Sequence, residues 1–128
     1  MSFDWSEYLK LARELVELDN ASTIGEARLR SAISRAYYAA LNKAVDYIEA
    51  AEGKDYLPTT PEKHYDTRSY FFQRRDQVSE QIANNLNYLR SQRNKADYEA
   101  DTRINDVMAR ETVRRAGLVI HQLSQLKK

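Results

Sequence analysis

No cysteine occurs among the 128 residues, so disulfides, thiolate metal sites and a cysteine nucleophile are ruled out. Glycine and proline are scarce, at three and two. Long uninterrupted helices therefore form easily, whereas a turn-rich β fold or a glycine-rich phosphate loop does not. No apolar run approaches the roughly 20 residues of a membrane span, and Met1-Ser2-Phe3-Asp4-Trp5 lacks a secretory leader pattern. The expectation is a cytoplasmic protein with no membrane contact. Excess charge is missing as well: 20 basic side chains face 19 acidic ones, for a net charge of +1. Any grip on nucleic acid must come from a local cluster of cations rather than from the whole surface. His64 and His121 are the only histidines, and neither has a His or acidic neighbour at zinc-ligand spacing, so no metal and no cofactor is expected.

What is present is apolar periodicity at helical spacing along nearly the whole chain. Helix 1 is expected from about Asp4 to Leu18, with Trp5, Tyr8, Ala12 and Leu15 on one face. A capping signal, Thr23 with Glu26 three residues on, opens a long helix 2 that stops at Gly53. Its apolar face is Leu29, Ile33, Tyr37, Ala40, Ala44, Ile48 and Ala51. Thr60-Pro61 starts a short helix 3 carrying His64. Helix 4 is expected from about Val78 to Tyr98, and helix 5 from a cap at Asp101 or Thr102 to about Leu126. Five such helices with short connections predict an all-α chain, residues 1–128 forming one domain: an antiparallel four-helix bundle with one extra short helix.

The core seam of helix 4 runs Ile82, Leu86, Leu89, Arg93, Ala96, so an arginine occupies a slot the pattern reserves for a hydrophobe. At about 100° per residue, Arg90, Arg93, Asn94, Asp97 and Tyr98 share one side of that helix. Arginine offers a planar, permanently charged fork suited to phosphate. The plainer explanation is an Arg93–Asp97 surface ion pair, worth about 0.2–0.5 kcal/mol. Helix 2 carries a second polar stripe, Arg28, Ser31, Arg35 and Asn42 with Tyr38 at its edge, whose default place is in solvent. His121, between Ile120 and Leu123, reads as structural. His64 does too, although Tyr65 and Arg68 lie close by in sequence.

Two segments together carry a family resemblance: Ser34-Arg35-Ala36-Tyr37-Tyr38-Ala39-Ala40 on helix 2 and Arg93-Asn94-Lys95-Ala96-Asp97-Tyr98 on helix 4. They resemble the small stand-alone prokaryotic members of the HEPN domain family, in which an S-R-A-Y-Y-A helix precedes an R-x-x-A-D-Y segment. His64 also sits where those relatives often carry a histidine. The likeness covers nearly the whole chain. It implies a helical domain that forms a homodimer around a shared cleft, with RNA as its ligand. It further implies metal-independent endoribonuclease chemistry, in toxins paired with a nucleotidyltransferase-type antitoxin or in phage defence. In that chemistry an Arg steadies the phosphate, and a His four to six residues later moves the proton of the ribose 2′-OH.

Arg93 and Asn94 match the start of that motif, but Asp97-Tyr98 stands where the histidine would be. An aspartate with a pKa near 4 is a poor general acid at neutral pH, and loss of a general acid–base group typically costs about 10²–10⁴ in rate. Three outcomes stay open: ribonuclease activity is weak or absent, His64 supplies the base, or the domain is a non-catalytic partner of a nucleotidyltransferase-type protein. In the last case Tyr98 is the candidate to receive a nucleotidyl group. The resemblance thus implies Arg93, Asn94, Asp97 and His64 as catalytic candidates. RNA phosphate contacts fall to Arg90, Arg93, Arg35 and Tyr38.

Overall fold

A computed structural model describes residues 3–18 and 25–126. It contains five helices and, among the described residues, no strand: α1 (Ser6–Glu17), α2 (Gly25–Glu52), α3 (Glu62–Arg74), α4 (Gln77–Tyr98) and α5 (Asp106–Gln125). They pack as a helical bundle around α2, which touches each of the other four. Alanine explains how one helix serves four neighbours. Ala32, Ala36, Ala39, Ala40 and Ala44 are all fully buried; their small side chains admit close approach, and alanine has the highest helix propensity. Larger side chains, Leu29, Ile33, Tyr37, Leu41 and Ile48, fill the space between. Together with residues of the other helices they form one hydrophobic cluster. Among the described residues no helix is long and apolar enough to cross a membrane.

The helix ends follow local chemistry. Gly53, at φ 100°, stops α2 by donating its N–H to the Glu49 carbonyl at 2.9 Å. Asp76 caps α4, accepting the Ser79 N–H at 2.8 Å. The cap of α5 is Asn105, which accepts the Met108 N–H at 2.9 Å, and not Asp101 or Thr102. Thr102 is already engaged in the preceding turn, donating to the Glu99 carboxylate at 2.8 Å. The expected Thr23 cap lies outside the described residues. Helix α3, at 13 residues, is no shorter than α1, at 12.

Three sequence expectations change on packing. In α1 the buried line is Leu9, Ala12 and Val16. Trp5 and Tyr8 are only half-buried, because they pack edge-to-face with Phe3 in a satellite cluster at centroid distances of 5.0–5.5 Å. The polar stripe of α2 is not a solvated face: α1 lies close to it. Arg28 is buried and donates to the Leu15 carbonyl near the α1 C-terminus, where a cation is favoured. Arg35 stacks its guanidinium 5.3 Å from the centre of the Tyr8 ring. His121, read as structural from its place between Ile120 and Leu123, is exposed.

Candidate anion site at the α2–α3–α4 junction

One arginine fixes where the end of α4 sits. Arg30 of α2 donates Nη1 to the carbonyls of Lys95 (3.1 Å), Ala96 (2.9 Å) and Glu99 (3.2 Å). Its Nη2 donates to the Glu99 carbonyl at 3.2 Å and to that of Thr102. Glu26, one turn earlier on α2, accepts from Arg30 Nε at 3.1 Å and Nη2 at 2.9 Å. That contact, followed by the Ile104 N–H, holds the Glu26 carboxyl below its usual range. The last carbonyls of a helix have no partner within the helix. Here a guanidinium from the neighbouring helix supplies donors to them, beside the Glu99 N–H on Lys95 and the Thr102 N–H on Glu99, each at 3.2 Å, and the Arg93–Tyr98 segment is held against Ser34, Tyr37 and Tyr38.

Arg93 is buried at 9% exposure, as its seam position dictates, yet it has no carboxylate partner among the described residues. Three tyrosine rings surround it instead, with centroids 5.0 Å (Tyr37), 5.7 Å (Tyr38) and 5.5 Å (Tyr98) from its guanidinium carbon. Cation–π contacts at this range contribute about 0.5–2 kcal/mol each. Nη1 donates to the Tyr98 hydroxyl at 3.1 Å, and Nε is buried with no hydrogen-bond partner among the described residues. The simple Arg93–Asp97 ion pair does not form. Asp97 accepts a hydrogen bond from Ser34 Oγ at 3.2 Å instead, so each side chain reaches α2 separately.

His64 joins this cluster through Tyr37, whose hydroxyl lies 3.2 Å from His64 Nδ1. Burial, then the positive charges of Arg93, Arg68, Lys63 and Arg90, hold its pKa below the ordinary histidine value. It is therefore neutral at pH 7 and able to accept a proton. Burial likewise raises the Tyr37 hydroxyl, with Arg93 and Arg68 opposing. Arg68, itself buried, donates to the His64 carbonyl at 3.2 Å, and burial followed by the proximity of Arg90 pulls it below its usual value. Arg90 is exposed. None of Arg68, Arg90 and Arg93 forms an ion pair among the described residues. A chain with balanced overall charge thus holds three guanidiniums and a histidine together without acidic compensation among the described residues.

Of the residues singled out from sequence, Arg93, Tyr38, Tyr98 and His64 come together, with Arg90 at the rim. Asn94 is half-buried next to Arg93 in sequence, and its side chain makes no hydrogen bond among the described residues. Arg35 points elsewhere, against Tyr8. Tyr37 and Arg68 belong to the cluster, although sequence reasoning assigned Tyr37 to the core and treated Arg68 only as a neighbour of His64. The one signal for them was a phenol in an alanine-lined seam and an arginine four residues after the histidine. Among the described residues no group of three or more His, Asp or Glu side chains is placed to hold a metal ion. No known family model matches this chain, and no curated protein matches it significantly.

Proposed function

We propose that this chain binds the phosphate backbone of RNA at the α2–α3–α4 junction. The observation that carries the reading is the grouping of Arg68, Arg90 and Arg93 around His64 without a carboxylate partner among the described residues. Buried cations are costly unless paired, so a site of this kind gains most from an incoming anion. The resemblance to the HEPN family supplies the nature of that anion. In the same reading the helices form an antiparallel four-helix bundle with one extra helix, and two copies pair so that their Arg93 segments share a cleft. The two-residue connection between α3 and α4 supports a sharp reversal of chain direction. The setting is a cytoplasmic toxin or phage-defence component. Any cleavage is metal-independent: neutral His64 takes the 2′-OH proton as the 2′-oxygen bonds to phosphorus, Arg93 steadies the phosphate, and the P–O5′ bond breaks with the 5′-oxygen taking a proton from water.

The test is fluorescence anisotropy of a labelled single-stranded RNA, with circular dichroism to verify folding. Arg93→Ala is expected to weaken binding about 10–150-fold, the equivalent of the ~1.5–3 kcal/mol of a hydrogen bond to a charged group. Wild type and Arg93→Ala behaving alike on RNA sinks the proposal. His64→Ala separates the activities: binding persists while cleavage, if the wild type shows it, is lost.

Tyr98 supports a second reading. It is 72% exposed, and its phenol oxygen accepts a hydrogen bond from Arg93. That arrangement presents a hydroxyl beside a cation able to hold a nucleotide's phosphates, as expected of an acceptor for a nucleotidyltransferase-type partner. Mass spectrometry of the chain co-expressed with its neighbouring genes tests this: an adduct on Tyr98 supports it, and an unmodified Tyr98 removes it.

A further inference from the structure

Beyond the arginine cluster, α3 turns an aromatic face outward. Tyr65 and Phe72, seven residues apart and so on one side of the helix, are 64% and 41% exposed. Between them Arg68 places its guanidinium 5.8 Å from the centre of the Tyr65 ring. With Ser69 and with Asn87 of α4, these three side chains line a cavity of about 170 Å³. Pockets for drug-sized ligands run to roughly 300–1,000 Å³, so this one suits a single ring system. Arg68 is common to the cavity and the cationic cluster, and Arg90 lies one helical turn beyond Asn87 along α4.

We infer that the Tyr65–Phe72 cavity is a base-stacking subsite, so that the nucleic acid taken at the arginine cluster is single-stranded. The inference rests on the phosphate-binding reading and adds to it the strandedness of the ligand. Exposed rings that merely finish a surface need no cation beside them; here the rings and the cations share Arg68. A strand whose phosphates lie along Arg90 and Arg93 leaves an unpaired base free to turn into the cavity. There it stacks on Tyr65 or Phe72, with the Asn87 amide offering one donor and one acceptor to its edge. Bases inside a duplex cannot reach such a platform, because their faces are already stacked.

The test compares three probes of equal length by anisotropy: oligouridine, the same strand carrying abasic sites, and a blunt RNA duplex. Oligouridine is expected to bind about 5-fold or more tighter than the other two, from the ~1–3 kcal/mol that one stacked base contributes. Tyr65→Ala should remove that advantage while leaving the salt dependence of binding unchanged, because it removes no cation. Tyr65→Phe should retain the advantage. Arg90→Ala should instead flatten the salt dependence and weaken all three probes alike. Equal affinity for oligouridine and the abasic strand overturns the stacking subsite but leaves phosphate binding standing. So does a Tyr65→Ala variant that loses self-association but keeps its RNA affinity, since the face is then covered by a second copy. No binding to any probe overturns both readings.

Discussion

Arg30 reaches from α2 to α4, and Arg93 reaches from α4 to α2. Arg30 spends its donors on Glu26 and on four main-chain carbonyls. Arg93 has one hydrogen bond to an exposed phenol, an Nε with no partner among the described residues, and three aromatic faces. The same side chain in the same helix pair therefore performs two tasks. Saturated with acceptors, it fastens one helix to another; surrounded by rings, it keeps hydrogen-bonding capacity for something outside the chain. The difference is written in the neighbours, a glutamate and a helix C-terminus in one case and tyrosines in the other.

The largest effect should come from cutting the fastener. Arg30→Ala strips one donor from each of four carbonyls and from Glu26, although Lys95 keeps the Glu99 N–H, Glu99 the Thr102 N–H and Glu26 the Ile104 N–H, and urea unfolding is expected to show a loss of about 2–3 kcal/mol. Arg30→Lys should recover only part of it, since an ammonium cannot reproduce the fork. Arg93→Met should behave in the opposite way, leaving stability within about 1 kcal/mol of wild type or raising it, because the cation–π contacts it loses are offset by exchanging a buried charge, with no carboxylate partner among the described residues, for an apolar chain of similar length. Equal destabilisation by Arg30→Ala and Arg93→Met would erase the contrast.

Tyr98→Phe sharpens it further. Removing a mostly exposed hydroxyl should change stability by no more than about 0.5 kcal/mol, and RNA affinity should stay far closer to wild type than in Arg93→Ala. The smallest signal is the pH dependence from His64. Its pKa in the folded chain lies below the unfolded value of about 6.5. The unfolded chain therefore binds more protons in that window, and stability declines as pH falls below about 6.5. His64→Gln should flatten this part of the profile. NMR should show His64 titrating below 6.5 in the free protein and moving upward when RNA supplies negative charge; a value at or above 6.5 without ligand contradicts the uncompensated cluster.

The helices were legible in sequence because apolar periodicity and a stop glycine act locally, whereas the caps were not: α3 has no side-chain cap at Thr60, and α5 is capped by Asn105. The buried row of α4 from Ile82 through Arg93 to Ala96 followed from periodicity alone. What was not legible depends on which helices meet. Arg28 sits on the polar side of α2 by pattern, yet α1 covers it. Asp97 stands four residues from Arg93, the spacing of an ion pair, yet Ser34 from another helix takes it. Arg30 gave no signal, since its partners are carbonyls, which carry no side-chain identity. Arg68 and His64 come from α3, and no spacing within one helix reports that they will join Arg93.

The central position of α2 also bears on how the chain is made. Its alanine-lined surface packs against α4 and α5, both of which follow it in the chain. Until Asp106–Gln125 has left the ribosome, the part of α2 that packs on α5 stays uncovered. A nascent chain ending before α5 shows water the apolar surface that attracts chaperones and promotes aggregation. Release of the finished α5 is the step that ends this exposure.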